Sequence, residues 1–275
     1  MRKYFVFDID GTLLNSQREI NVSTVKALVK AREKGHKIVF CSGRPYANLR
    51  NLFSQRQLVD YLVCNNGSYI YDVDQQKFYF KKSLPAQVVR EALEIAGPHC
   101  PLVTLHTNKA PYRGIVCAQP LRPPWFEQVF QVEKAVFQSN YELNQNDLLT
   151  KAEQEKVMQV AFRLDEHNAE KLAKELGANL SQQASIAIAN QTYVDLNPPG
   201  VNKKTGLDDL CALVGCQVEK MIAFGDSDND LEMLQAVNNS FAMSNGTTRA
   251  KAIAKTIIGD NDSDAIATKI LEIIG

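Results

Sequence analysis

Charge of a single sign is what this 275-residue chain lacks most plainly. Lys+Arg and Asp+Glu both number 31, and the formal net charge is zero. Nothing in it resembles the basic footprint of a nucleic-acid binder, so no nucleic acid is expected as a partner. Long hydrophobic runs are lacking too. None approaches the roughly 20 apolar residues of a membrane helix, so no membrane is expected either. The opening Met1-Arg2-Lys3 is basic, but the apolar stretch from Tyr4 to Phe7 is cut off at once by Asp8. A secretory leader needs a longer apolar region, so this stretch reads as a strand. Cysteine is sparse: the six lie at 41, 64, 100, 117, 211 and 216, and none forms a Cys-x-x-Cys pair. The chain is too long for a disulfide-stapled miniprotein, and the expectation is reduced thiols in a cytoplasmic protein. Repeats and low-complexity tracts are absent. What remains, 45% hydrophobic and 23% charged residues, is ordinary for a soluble globular protein. The length suggests two domains or one large one.

The first eighty residues alternate strand and helix signals. Tyr4–Phe7, Lys37–Cys41 and Tyr61–Cys64 are short apolar runs of strand type. Between the first two, Val22, Val25, Leu28 and Val29 recur at helical spacing, and Gly35 is a natural stop, which predicts a helix over Asn21–Lys34. A hairpin follows from Ser68 to Phe80, turning near Asp74-Gln75-Gln76. Strands separated by helices imply a parallel sheet. The pattern then changes. Pro85 begins a helix through about Ala96, and Pro98, Pro101, Pro111, Pro120, Pro123 and Pro124 break up the next stretch. Leu102–His106 and Ser185–Ala189 read as strands, Asn168–Leu176 as a helix, and Val157–Leu164 as a half-buried strand. Strand–helix alternation returns near residue 192, with helices at Lys203–Val214, Leu231–Val237 and Asp264–Ile274 and strands at Met221–Phe224, Phe241–Met243 and Thr256–Ile258. The fold class is therefore α/β: a Rossmann-like core of a parallel sheet from residues 1–81 and 191–275, with an inserted α+β unit at 82–190. Such insertions are tolerated when both joints lie close together on the surface.

Chemistry gathers at strand ends. Asp8-Ile9-Asp10-Gly11-Thr12 follows the first strand. Side chains at i and i+2 of an extended segment point the same way, so Asp8 and Asp10 face a common point at its carboxyl end. Open α/β sheets bind ligands at that edge. Two adjacent carboxylates repel each other unless a cation or a shared proton relieves them. The run Gly225-Asp226-Ser227-Asp228-Asn229-Asp230 also follows an apolar strand. Its acids match the first positions of a calcium loop, but Leu231 stands where that loop needs glycine and Val237 where it needs glutamate. Asp260-Asn261-Asp262-Ser263-Asp264 fails similarly, with Ala265 and Leu271. A few carboxylates with room for water and a phosphate oxygen suit Mg²⁺ better. Ser42-Gly43-Arg44 follows the second strand and precedes a helix, where a hydroxyl and backbone N–H groups make a phosphate cradle. Lys203 and Lys204 open a helix after Pro198-Pro199-Gly200, and a lysine there can neutralise phosphate charge.

Together these places resemble the haloacid dehalogenase superfamily of phosphohydrolases, whose four motifs occur in this order. Asp8-Ile9-Asp10-Gly11-Thr12-Leu13 is similar to the first, Ser42 to the second, Lys203 within Gly200-Val201-Asn202-Lys203 to the third, and Gly225-Asp226 with Asn229-Asp230 to the fourth. Asn66-Gly67, Ser42-Gly43-Arg44-Pro45 and Ala242-Met243-Ser244-Asn245 resemble the Cof-like branch with its large C2B-type α/β cap. The likeness spans both ends of the chain and is weakest across 82–190. That branch carries glycine where this chain has Lys204, which leaves two candidates for the phosphate lysine. It often has Asp-Gly where this chain has Asp264-Ala265.

The resemblance implies a phosphoric monoester hydrolase. Asp8 would attack phosphorus and form a covalent intermediate, and Asp10 would protonate the leaving oxygen and then activate water. Mg²⁺ would be held by Asp8, the backbone carbonyl of Asp10 and Asp226, with Asp230 a further ligand or an acceptor through water. Ser42, Gly43 and Lys203 would bind phosphoryl oxygens, Asn229 would orient these groups, and Arg44 and Asn66 would face the substrate or the cap. The expected partner is a small phosphorylated metabolite such as a sugar phosphate, its leaving group chosen by the insert acting as a lid. The motifs specify neither that substrate nor an oligomeric state. Three alternatives remain. A phosphomutase would return the phosphoryl group to its substrate. A glycosyltransferase would use Asp8 and Asp10 on a nucleotide diphosphate but leave Asp226, Asp230 and Lys203 idle. A non-catalytic phospho-ligand binder would be expected to have lost Asp8 or Asp10.

Overall fold

A computed structural model describes residues 2–53, 58–79, 82–118, 122–137, 141–189 and 191–275. The chain divides into two compact units, Met1–Lys81 with Asn202–Gly275, and Lys82–Val201.

The first unit is built on β1 (Tyr4–Phe7), α1 (Val22–Glu33), β2 (Lys37–Cys41), α2 (Tyr46–Phe53), β3 (Tyr61–Cys64), β4 (Tyr69–Asp72) and β5 (Lys77–Tyr79). The second unit follows with α3 (Ala86–Ala96), β6 (Leu102–Thr107), β7 (Pro111–Ile115), α4 (Phe126–Phe137), α5 (Gln145–Gln154), β8 (Val157–Arg163), α6 (Glu166–Leu180), β9 (Ser185–Ala189) and β10 (Tyr193–Asn197). The chain then re-enters the first unit through α7 (Lys203–Val214), β11 (Ile222–Gly225), α8 (Leu231–Ala236), β12 (Asn239–Met243), α9 (Thr248–Ile253), β13 (Thr256–Ile258) and α10 (Ala265–Ile274).

The sheet of the first unit has the order β13-β12-β11-β1-β2-β3-β4-β5. It is parallel from β13 to β3, and the β4–β5 hairpin adds an antiparallel edge. β1 is central, and a central parallel strand is covered on both faces, which is why Phe5, Val6 and Phe7 form an unbroken apolar run. On one face Phe7, Phe224 and Phe241 stack in sequence at centroid spacings of 4.8 and 4.9 Å. On the other, Val6, Val39, Val63 and Ala223 pack with Leu207 and Leu210 of α7 and Leu234 of α8. The register matters for the site: Phe7 lies opposite both Phe224 and Phe40. β11, β1, β2 and β3 therefore end at one level, and the residues just after them share one edge.

In the second unit the sheet order is β7-β6-β8-β10-β9, antiparallel throughout. Val103, Leu105, Val160, Phe162, Val194 and Leu196 point to one face and join Val89 and Leu93 of α3, Leu148 of α5 and Leu172 and Leu176 of α6 in a single core. The opposite face is polar and still buried, with His106, Gln159, Asp195 and Asn197.

Expected and observed architecture agree in class, a largely parallel α/β sheet with an inserted α+β unit. Three details are corrected. The insert does not return to the core at 191: β10 pairs between β8 and β9, and the second unit runs on to Val201. The expected joints at Lys81 and Asn190, with Phe80 and Pro120, lie outside the described residues. The buried stripe of α1 is Thr24, Ala27, Leu28 and Ala31, while Val22 is 69% exposed. The valines had marked the period correctly but not the face, because small residues carry the contact. β8 is buried from Val157 to Phe162 rather than on alternate residues, since it is the central strand of its sheet.

The expectation of six reduced thiols is also overturned. Cys100, just after α3 and its following turn, is bonded to Cys117, just after β7, with Cα atoms 4.0 Å apart. Their separation of 17 residues hid a pairing that only the β6–β7 hairpin creates. Cys41, Cys64, Cys211 and Cys216 are free thiols. Among the described residues, no helix is long and apolar enough to cross a membrane.

Candidate active site

Asp8 is the first residue past β1, and its amide donates to the Phe224 carbonyl at 3.0 Å, so the backbone ladder itself fixes its position. Only 4% of it is exposed. The chain must then leave the sheet, and Gly11 supplies the turn with φ at +84°. A side chain at Gly11 would also strike the Asp226 carboxylate, 2.6 Å from the position of a Cβ. Glycine is thus required twice over, once for conformation and once for space. Thr12 follows and donates its hydroxyl to Asp226 Oδ1 at 2.6 Å.

Asp226 and Asp230 come from the turn after β11. The amides of Asp226 and Ser227 both donate to Asp230 Oδ2 at 3.0 Å, which folds the turn around that carboxylate. Gly225 admits it closely, since a Cβ there would lie 2.7 Å from the Asp230 side chain. Asp228, between them in sequence, points elsewhere and pairs with Arg249 and Thr247. The Asp226 carbonyl accepts from the Thr247 amide at 2.7 Å, tying the turn to the segment after β12.

Lys203 reaches this cluster from the first turn of α7. Its helix is started by a capping box between Asn202 and Thr205 and lies close to β3 and the Asn65–Gly67 turn through Gly206, where a Cβ would meet the Gly67 Cα at 2.6 Å. The Lys203 side chain is fully buried and its Nζ donates to Asp8 Oδ1 and Asp230 Oδ1, both at 2.5 Å. Lys204, the other candidate, extends along the helix surface to Asp208 at 2.7 Å. The lysine of the cluster is therefore Lys203.

Asp8, Asp226 and Asp230 each place a carboxylate oxygen within 4.8 Å of the others. Three buried carboxylates thus lie together, and two of them, Asp8 and Asp230, share one ammonium. Burial chiefly pushes the Asp8 carboxyl up to about 7; Lys203 opposes the shift, and the Asp230 and Asp10 charges add to it. Burial likewise holds Asp226 well above the usual carboxylate range, with Asp8 and Asp230 adding and the Thr12 hydroxyl opposing. Burial alone would lower the Lys203 ammonium, but Asp230 and Asp8 outweigh it and raise it above its ordinary value. Such a cluster is short of positive charge, and its donors are hard oxygens, the set that suits Mg²⁺.

The remaining expected residues fall around the same edge. Asp10 does not point its carboxylate into the cluster. Arg44 holds it from two sides, Nε to Oδ2 at 2.6 Å and Nη2 to Oδ1, so Asp10 has only its backbone carbonyl to offer a metal. Ser42 is buried, its amide donates to the Val63 carbonyl, and its hydroxyl accepts from the Arg44 amide at 3.1 Å. Gly43 lies between them in the same turn. Asn66, in a left-handed conformation with φ at +52°, accepts from the Asn229 amide at 3.0 Å, and Asn229 accepts from the Ser227 hydroxyl at 2.7 Å. Asn66 is thus a brace joining two turns. The sequence reading missed Thr12, Thr247 and Asn245, the last donating to the Gly11 carbonyl at 2.9 Å. Thr12 and Asn245 lie within the quoted motifs, which was the signal available. Thr247 carried none. The second acidic run is structural: Asp262 accepts from the Ser16 amide in the loop after Asp10, and Asp264 from the Ser23 hydroxyl at the start of α1.

Comparison with known proteins places this arrangement. The family described as haloacid dehalogenase-like hydrolase matches the chain over residues 5–270. The pyridoxal phosphate phosphatase YbhA of Escherichia coli is 26% identical over 281 residues, covering 96% of each chain. The 5-amino-6-(5-phospho-D-ribitylamino)uracil phosphatase YitU of Bacillus subtilis is 26% identical over 270 residues, covering 96% of this chain and 95% of the relative. Among solved structures, the subclass IIB sugar phosphatase BT4131 matches with a TM-score of 0.81 at 24% identity over 98% of both chains, a likeness of fold.

Proposed function

This chain belongs to the haloacid dehalogenase-like hydrolases, in their Cof-like branch, and from that we propose that it hydrolyses small phosphorylated metabolites through an aspartyl-phosphate on Asp8. The observation that carries the reading is a backbone-fixed, buried Asp8 bonded to Lys203 within a cluster of three carboxylates. A carboxylate held rigidly at a strand end is placed for in-line attack on phosphorus. The bond from phosphorus to the leaving oxygen breaks as that to Asp8 Oδ forms. Asp10 gives its proton to the leaving oxygen, then takes one from the water that attacks the acyl-phosphate and releases inorganic phosphate. This acid–base work is worth about 10²–10⁴ in rate. In the structure Asp10 is held by Arg44, so proton transfer requires that pair to open. Ser42 and the Gly43 backbone would take phosphoryl oxygens, and Lys203 would share its protons between Asp8 and the phosphoryl group.

Mg²⁺ would be held by Asp8, Asp226 and the backbone carbonyl of Asp10. When bound it would neutralise phosphoryl charge that one lysine cannot balance. Asp230 is assigned to hold the turn that carries Asp226, because its oxygens already accept from Lys203 and two backbone amides. The core motifs describe a phosphoryl group and no leaving group, so choice among metabolites is assigned to the inserted unit. Sugar phosphates and related phosphate monoesters are the proposed class, in keeping with relatives named for pyridoxal phosphate and a phosphoribitylamino-uracil. The test is a screen of phosphorylated metabolites with Mg²⁺, reading released phosphate. Release from some monoesters but none in excess chelator is the expected result. Isomerised sugar phosphate without inorganic phosphate would replace hydrolysis by a mutase reaction.

A further inference from the structure

The four free thiols of this chain are not equivalent. Cys41 and Cys64 are buried in the first unit's core, where burial pushes both thiols far up, and no oxidant reaches them. Cys211 and Cys216 lie at the other end of the helix that carries Lys203. α7 stops at Gly215, which is left-handed with φ at +71°. The amides of Gly215 and Cys216 both turn back to the Cys211 carbonyl, at 2.9 and 3.1 Å. This reversal sets Cys216 over Cys211 and leaves the sulfurs 2.6 Å apart. A disulfide measures about 2.05 Å, so the two sulfurs stand within about 0.6 Å of bonding distance. Cys216 is half-buried and Cys211 is 7% exposed, so an oxidant meets Cys216 first.

We propose that Cys211 and Cys216 form a reversible disulfide, making the C-terminal end of α7 a thiol-oxidation site distinct from the Cys100–Cys117 bond. The co-reactant is a small disulfide of the glutathione class. The Cys216 thiolate attacks one sulfur of glutathione disulfide, the S–S bond breaks, and one glutathione leaves as thiolate, leaving a mixed disulfide on Cys216. Cys211 then loses its proton to that thiolate and attacks the Cys216 sulfur, expelling the second glutathione. The two protein thiols are oxidised by two electrons and the glutathione disulfide is reduced to two thiols, so atoms and electrons balance. The hydrogen bond the two thiols share holds the Cys216 thiol below its ordinary value and raises that of Cys211, which fits Cys216 as the attacking sulfur.

The experiment exposes the full-length protein to glutathione disulfide, alkylates the remaining thiols and maps peptides by mass spectrometry. The expected result is loss of two alkylatable cysteines, a cross-linked peptide joining 211 to 216, and their return on treatment with excess reduced glutathione. Cys211→Ser is expected to stop at a glutathione adduct on Cys216, because the resolving thiol is gone. Unchanged alkylation of both cysteines overturns the proposal. So does a glutathione adduct on Cys216 that persists in the unmodified chain with Cys211 still alkylatable. An adduct on Cys211 in the Cys216→Ser variant, with none on Cys216 in Cys211→Ser, overturns the order of attack.

Discussion

Each unit of this protein buries an ion pair, and the two pairs differ in how well their charges are matched. In the first unit Asp8, Asp226 and Asp230 crowd together, with Lys203 paired to Asp8 and Asp230. In the second unit the buried Glu133 accepts from Arg163 Nε at 3.1 Å, from the Tyr193 hydroxyl at 2.5 Å and from the Tyr141 hydroxyl at 3.1 Å. One carboxylate there has one cation and two hydroxyl donors. Carboxylates are buried in both places, so burial by itself does not mark a site. What marks it is the imbalance: carboxylates left short of cation have been kept against their own repulsion. An excess of negative charge is useful only if something positive arrives.

The most severe way to test that contrast is Asp8→Asn. The amide is nearly isosteric but is a poor nucleophile, so turnover should fall by about 10⁴-fold or more. Folding should be kept, because removing a carboxylate that burial pushes up to about 7 relieves repulsion within the cluster. Released phosphate and thermal unfolding read the two halves of the prediction. Near-normal turnover would remove Asp8 from the mechanism.

Removing the cation from each pair comes next. Lys203→Met leaves three buried carboxylates with no ammonium and should cost about 5 kcal/mol, together with turnover. Arg163→Met leaves Glu133 its two hydroxyl donors and also removes Arg163 Nη1, a buried donor with no partner. Its cost should be nearer about 3 kcal/mol. Denaturant unfolding of both variants measures the difference, and equal losses would mean that the imbalance carries no energetic signature. The metal gives a milder version of the same test. Mg²⁺ at about 100 times its dissociation constant should stabilise the native chain by about 2.7 kcal/mol. Asp226→Asn should abolish that shift and Arg163→Met should not; a shift that survives Asp226→Asn would move the metal elsewhere.

The same contrast explains what could be read from the sequence. The first unit was legible because its chemistry is local: Asp8 and Asp10 are two apart, Asp226 and Asp230 four apart, and each group directly follows an apolar strand. Even so, Asp228 could not be told from its neighbours, since only the turn decides that it faces Arg249. Nor could the Asp10–Arg44 pair be foreseen, because it depends on two strand ends lying side by side. In the second unit α3, β6, β8, β9 and much of α6 were legible as elements, but the way they pair and the ion pair they bury were not. Glu133, Tyr141, Arg163 and Tyr193 come from separate elements and form no pattern in the chain. β10 alternates well as Tyr-Val-Asp-Leu-Asn, but its polar residues are buried as deeply as its apolar ones, and it was assigned to the wrong unit. The Cys100–Cys117 bond fails to show for the same reason. Long-range pairing writes little into a single sequence.

His106 offers an effect that vanishes at neutral pH and a separate handle on the second unit. Burial, with Arg113 adding, pushes its imidazole down to about 3, and its Nδ1 is buried without a partner. The sign follows from linkage. Above about pH 6.5 the imidazole is neutral in the folded and unfolded chains alike, and its contribution to stability is fully present. As pH falls, the unfolded chain binds a proton that the folded chain refuses until about 3. Stability is therefore lost across that window, by up to about 1.4 kcal/mol per pH unit. His106→Gln cannot take the proton in either state. Its unfolding free energy should fall less steeply between about pH 6.5 and 4, by the equivalent of one proton, whatever offset the substitution causes. Denaturant titrations of both proteins at several pH values give the two slopes. Parallel slopes would mean that His106 protonates in the folded chain at an ordinary pH, and that this unit's polar face is wetter than its burial implies.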